Sequence, residues 1–137
     1  MLSPDSQLVF HHVGVLVGSM EEAIRHYAAL FGQTNISAIS DIESQGVRVC
    51  FVKIGDGSYL ELVEPMNEDS KVSRMAKKQV TYYHVGYMVK NIESAVSKMS
   101  DLNYKPGEYF ASEAFGGKRC IFLFSPQAHL IELIEGE

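Results

Sequence analysis

Hydrophobic and polar positions change period in a fixed order along this chain, and the order occurs twice. Leu8 to Val17 is rich in Val and aromatic residues and predicts a strand. Ser19, with Glu22 three residues later, is a capping box. It opens a helix over Met20 to Phe31, in which Ala23, Ile24, Tyr27, Ala28 and Phe31 recur at helical spacing until Gly32 ends it. Three strands are expected next, over Thr34 to Ser44, Gly46 to Ile54 and Tyr59 to Glu64, with Gly55-Asp56-Gly57 as the hairpin turn between the last two. The second half predicts a strand over Thr81 to Val89 and a helix from Ile92 to Leu102, capped by Asn91. Strands follow over Tyr104 to Ser112, Lys118 to Phe124 and Ala128 to Glu135. Between the halves, Pro65 to Gln79 is polar and has room for a short helix over Ser70 to Lys77.

The residues repeat as well as the pattern. At a shift of 72 positions, His12-Val13-Gly14-Val15-Leu16-Val17 matches His84-Val85-Gly86-Tyr87-Met88-Val89, and Glu21 and Ala23 match Glu93 and Ala95. At a shift of 71, Arg48 meets Arg119, Phe51 meets Phe122, Leu60-Glu61-Leu62 meets Ile131-Glu132-Leu133, and Glu64 meets Glu135. Ordered matches at both ends of both halves mark a duplication. The expected fold is therefore α+β, built from two βαβββ modules. The chain reads as one domain with module 1 at about 8–64, a linker at 65–79 and module 2 at about 80–135.

Composition narrows the class. The 137 residues are 46% hydrophobic and 21% charged, enough to bury a core and too apolar for wholesale disorder. No apolar run approaches the ~18 residues of a membrane span. Met1 to Gln7 carries Asp5 and no basic stretch, so no secretory signal is expected there. Cys50 and Cys120 lie in strand-like runs and read as reduced core residues of a cytoplasmic protein. Twelve basic against 17 acidic residues give −5, which argues against a nucleic-acid partner.

Four polar residues stand where the pattern wants apolar ones. His12 and His84 open apolar strands, and Glu61 and Glu132 lie inside two others. An ionised carboxylate flanked by apolar residues on both strand faces needs a proton, a partner or a metal. Paired by a pseudo-twofold, the modules would bring two imidazoles and two carboxylates to one cavity. Two nitrogen and two oxygen ligands suit a divalent ion such as Zn, Ni, Co, Fe or Mn. His11 falls on the opposite strand face and its repeat partner is Tyr83, while His26 and His129 read as solvated or satisfied side chains.

With these residues in place, the chain resembles the vicinal oxygen chelate superfamily, which includes glyoxalase I, methylmalonyl-CoA epimerase, extradiol dioxygenases and bleomycin-resistance proteins. The resemblance spans about residues 8 to 135. It implies an open, roughly eight-stranded half-barrel with a central cleft, and a divalent metal held by His12, Glu61, His84 and Glu132. Within the superfamily the chain looks most like methylmalonyl-CoA epimerase. The likeness lies in Phe10-His11-His12-Val13-Gly14, Ser44-Gln45-Gly46-Val47-Arg48-Val49, Glu61-Leu62-Val63-Glu64-Pro65 with Glu68-Asp69-Ser70, and Gly116-Gly117-Lys118-Arg119. Val49 stands where many bacterial epimerases place a second catalytic Glu, and Ser125 to His129 is shorter than the family's stretch before the last strand. The resemblance implies a metal-dependent isomerase or lyase acting on a small-molecule thioester. Glu132 would be the base, Glu61 a ligand and the opposite-face acid, and Gln45, Lys118 and Arg119 substrate contacts. Alternatives within the superfamily are lactoylglutathione lyase (glyoxalase I) and a resistance-type protein that sequesters its ligand without chemistry. A homodimer is expected, because superfamily members often dimerise and the sheet edges invite a partner.

Overall fold

Side chains at the first turn set where the helices begin. In the computed structural model, which describes residues 7–78 and 80–136, helix α1 spans Met20–Phe31. Ser19 Oγ accepts the Glu22 N–H at 3.2 Å, the expected cap. Gly32 takes φ 92° and donates its N–H to the Ala28 carbonyl, ending the helix in a conformation open to glycine. Helix α2 spans Lys71–Lys77 in the linker. Helix α3, Ile92–Asp101, starts on Asn91, whose Oδ1 accepts the Ser94 N–H at 2.9 Å. No helix among the described residues is long and apolar enough to cross a membrane. Apart from Gln7, the N-terminal stretch read for a signal lies outside the described residues.

The chain divides into two compact units. The first, His12–Tyr83, holds most of strand β1 (Val9–Leu16) with β2 (Ser40–Ile42), β3 (Val47–Gly55) and β4 (Ser58–Pro65). Its sheet runs β2-β3-β4-β1. Strand β4 is antiparallel to β3 and parallel to β1, with His12 opposite Tyr59 and Gly14 opposite Glu61. The second unit comprises residues 7–11 and 84–136. It holds most of β5 (Tyr82–Val89), with β6 (Lys105–Pro106), β7 (Phe110–Ser112), β8 (Lys118–Phe124) and β9 (Leu130–Glu135). Here β9 is parallel to β5 and antiparallel to β8, and β6 and β7 both pair with β8. The α+β organisation expected from the duplicated pattern is the one observed.

Each unit buries one sheet face under its helix. In the first, Val15, Met20, Cys50, Val52 and Leu62 form the core, with Ala23, Ile24 and Tyr27 of α1 against it. In the second, Ile92, Ala95 and Met99 of α3 pack on Val89, Ile121, Leu123 and Leu133. Burial of these side chains, at roughly 1.5–3 kcal/mol each, is the main stabilisation of both units. Neither cysteine is in a disulfide and both are fully buried, as their strand-like surroundings suggest.

Two expected strands are broken. Thr34 to Ser44 is a 3-10 turn at Gln33–Asn35, a single bridge from Ile36 to Val52, the short β2, and a second 3-10 turn at Glu43–Gln45. Ser37 explains part of this: its Oγ accepts the Phe51 N–H at 2.8 Å, so a side chain replaces a ladder bond. Tyr104 to Ser112 splits into β6 and β7 around Gly107, and Pro106 has no N–H to continue the ladder. The last strand begins at Leu130 rather than Ala128, because Ala128 sits at φ 66° in a turn closed by its N–H to the Ser125 carbonyl.

Candidate functional site

Strand alternation settles which face carries the polar residues. Leu60 and Leu62 of β4 point to the helix-side core, so Glu61 points to the other face. Val13 and Val15 do the same on β1, which leaves His12 and Gly14 on the face of Glu61. In the second unit Ile131 and Leu133 face α3, and Glu132 faces away beside His84 and Gly86. The register then builds the same row twice. Glu61 lies between Gly14 on β1 and Phe51 on β3, and Glu132 lies between Gly86 on β5 and Phe122 on β8. A glycine opposite each carboxylate puts no side chain beside it.

The result is one His–Glu pair per unit. His12 Nε2 stands 3.5 Å from Glu61 Oε1, and His84 Nε2 stands 3.4 Å from Glu132 Oε1. All four side chains are at most 5% exposed. These separations exceed the 2.7–3.2 Å of a well-formed N–H···O hydrogen bond. Burial at that depth makes a charged carboxylate dependent on its partners. The donor chemistry of each pair, an imidazole nitrogen beside a carboxylate oxygen, fits a divalent cation.

The remaining expected residues stand on other elements than these pairs. Gln45 ends the 3-10 turn before β3 and is half-buried. Lys118 opens β8 and is exposed. Arg119 is held by carboxylates: its Nη2 donates to Glu93 at 2.9 Å, and its Nε and Nη2 donate to Glu135 at 3.1 Å. Its guanidinium also lies 5.3 Å from the centre of the Tyr109 ring. Hydrogen bonds from Arg119 hold the Glu135 carboxyl below its ordinary range. Tyr109 is pushed up, first by burial and then by the Glu93 charge. The first unit repeats the arrangement, with Arg48 2.8 Å from Glu64 and 3.7 Å from Glu21, while the other Glu64 oxygen accepts the Met20 N–H at the start of α1. Matching Arg and Glu positions in the repeat are thus, in both units, ties between the last strand and the first turn of the helix.

Sequence reading assigned no role to two further pairs of repeated residues. Gly14 and Gly86 stand opposite the two carboxylates in register, and the repeated His-Val-Gly is their visible signal. Phe51 and Phe122 stand edge-to-face against His12 and His84, with ring centres 5.7 and 5.3 Å apart. Their signal was only that they matched.

Comparison with known proteins agrees with this architecture. The description that matches residues 11–124 is that of the Glyoxalase/Bleomycin resistance protein/Dioxygenase superfamily. No curated protein is significantly similar. Among solved structures, a methylmalonyl-CoA epimerase variant from Streptomyces coelicolor, in complex with 2-nitronate-propionyl-CoA, is 26% identical with a TM-score of 0.81. That likeness covers 95% of this chain and 99% of the other. A hypothetical protein from Bacillus halodurans C-125 is 25% identical with a TM-score of 0.81, covering 96% of each chain. Methylmalonyl-CoA epimerase from Mycobacterium tuberculosis, at 20% identity and a TM-score of 0.82, covers 100% of this chain and 93% of its own and shares the fold. With the match extending over most of its length, and a buried His–Glu pair repeated in each half, this chain belongs to the glyoxalase/bleomycin resistance protein/dioxygenase superfamily.

Proposed function

We propose that the chain is a metal-dependent enzyme that epimerises an acyl-CoA thioester such as methylmalonyl-CoA, acting as a single domain in which both His–Glu pairs serve one divalent ion. The observation that carries the reading is the duplicated, buried pair: His12 with Glu61 and His84 with Glu132. The similarity to an epimerase that binds a CoA thioester analogue supports the substrate class. When bound, a divalent ion supplies Lewis acidity toward the charge that develops on a substrate carbonyl.

The chain's own residues account for the proton movements. Glu132 takes the α-proton of the thioester and later releases it to solvent, while Glu61, its counterpart by duplication, entering the step protonated from solvent, gives its proton to the opposite face. Apolar neighbours on the same strand face, Val63 and Ile134, are fully buried and keep the carboxylates out of bulk water. Gln45, Lys118 and Arg119 are proposed substrate contacts. Of the two cations, Lys118 has the freer charge for an anionic thioester, because Arg119 already engages two carboxylates. A homodimer in the cytoplasm belongs to the same proposal.

The test is proton exchange. Methylmalonyl-CoA in D2O should lose its α-proton signal in NMR spectra when the protein is added. A chelator or Glu132→Gln should stop the loss. If the protein binds metal but exchanges no proton from the thioester, the epimerase reading is wrong. If it instead forms S-lactoylglutathione from the methylglyoxal–glutathione hemithioacetal, it is a glyoxalase. A protein that takes up no divalent ion at micromolar concentration would point to ligand sequestration.

A further inference from the structure

We propose that Phe51 and Phe122 are positioning residues that fix the ring orientation of His12 and His84 as metal ligands, a role that rests on the metal reading above. Both phenylalanines sit at the same place in their units. Phe51 is the register partner of Glu61 on the strand beyond it, and Phe122 is the register partner of Glu132. Each histidine lies on the strand at the carboxylate's other side. Each benzyl group therefore leans across the carboxylate's strand to reach the imidazole. The ring centres are 5.7 Å apart with an interplanar angle of 71° for His12 and Phe51, and 5.3 Å apart at 84° for His84 and Phe122. Both fall within the 4.5–7 Å range of favourable edge-to-face aromatic pairs.

The helix-side core does not explain these rings. Their strand neighbours Cys50, Val52, Ile121 and Leu123 are fully buried on the face toward the helices. Alternation puts Phe51 and Phe122 on the opposite face, with the carboxylates. Each is itself backed by a second aromatic residue. Tyr59 meets Phe51 edge-on at 6.0 Å, and Phe110 stacks on Phe122 at 5.6 Å with an interplanar angle of 18°. The backing residues differ between units (one on β4, one on β7), yet the contact with the histidine is the same. A contact preserved while its support changes is the one under constraint.

The physical effect is preorganisation. An imidazole rotates broadly about its second side-chain torsion, and a ligand must present Nε2 along one direction. The Phe ring restricts that torsion in the folded protein, before an ion arrives. Losing one such pair should weaken divalent-ion binding about two- to tenfold, the factor that corresponds to an aromatic pair. Losing both should approach the product of the two.

The experiment uses the full chain and Co2+ alone as the probe. Affinity is read by calorimetry, ligand geometry by the visible absorption of the bound ion, and folding by circular dichroism. Phe51→Leu and Phe122→Leu should each weaken Co2+ binding and shift the visible bands. Phe51→Tyr and Phe122→Tyr, which keep the ring, should restore both. Met99→Ala, in the core under α3, should lower stability without altering affinity or bands. Unchanged affinity and spectrum in both Leu variants would overturn the positioning role while leaving the metal reading intact, as would an equal loss in Met99→Ala. A wild-type chain that binds no Co2+ would overturn both.

Discussion

Replacing Glu132 by Gln separates a metal ligand from a structural ion pair by the sign of its effect on stability. The substitution keeps the shape of the side chain and removes its charge. In the folded protein Glu132 is 4% exposed and its carboxylate is 3.4 Å from His84 Nε2. If the residue is present as a ligand, its charge loses the ion's counter-charge whenever the ion has been stripped away. The chelator-treated variant should then be more stable than the chelator-treated wild type by about 1–3 kcal/mol, the order of the penalty for a buried polar group whose partner, here the ion, has been removed. For a chain of this size that is an upward shift in Tm of roughly 3–10 °C. Adding a divalent ion to a hundred times its Kd should raise wild-type stability by about 2.7 kcal/mol, or roughly 9 °C. The same ion concentration should move Glu132→Gln by about 1 °C if affinity has dropped a hundredfold. Thermal melts with and without chelator, followed by circular dichroism, provide all four values. A loss of about 3–5 kcal/mol in the chelator-treated variant, with an unchanged response to the ion, would refute the reasoning. Glu132 would then be the partner of a protonated His84 in a structural pair.

Two other outcomes are expected from groups outside the pairs. Burial pushes the Cys50 thiol up despite hydrogen bonds with Ser37, and Cys120 is equally inaccessible. Iodoacetamide at pH 7.5 should therefore label neither cysteine in the native chain and both in urea, as counted by intact mass; native labelling of Cys50 would contradict its burial. Glu135 is lowered from its ordinary value of 4.5, chiefly by hydrogen bonds from Arg119. A depressed folded-state pKa means that the contribution is complete above the ordinary carboxylate range and is lost as pH falls through the folded value. Wild type and Glu135→Gln should thus differ slightly in urea midpoint near pH 6 and converge below about pH 4, the difference being small because both partners are partly solvated.

Local rules were visible in the sequence wherever they were decided within a few residues. The Ser19–Glu22 cap and the Asn91 cap are contacts three residues long. The polar side chains on apolar strands were visible because period-two alternation assigns faces without knowledge of partners. The expectation of continuous strands over Thr34 to Ser44 and Tyr104 to Ser112 failed where side chains and proline interrupt a ladder. Propensity does not show that Ser37 will take the Phe51 N–H, because the two are 14 residues apart. Arg119 stands in the Gly-Gly-Lys-Arg stretch from which the resemblance implies a substrate contact, and the sequence does not show its other partners. Its two carboxylates lie 16 and 26 positions away, a pairing that only folding creates.

By itself, the sequence determined the two βαβββ modules, the helices and their caps, and the four candidate donors, because duplication and periodicity are properties of order along one chain. Tertiary structure decided what stands beside each donor. The register of three strands puts a glycine and a phenylalanine on either side of each carboxylate, and turns the phenylalanine onto the histidine. Register depends on hydrogen bonds between distant segments, and a shift of one residue would send every one of these side chains to the other face.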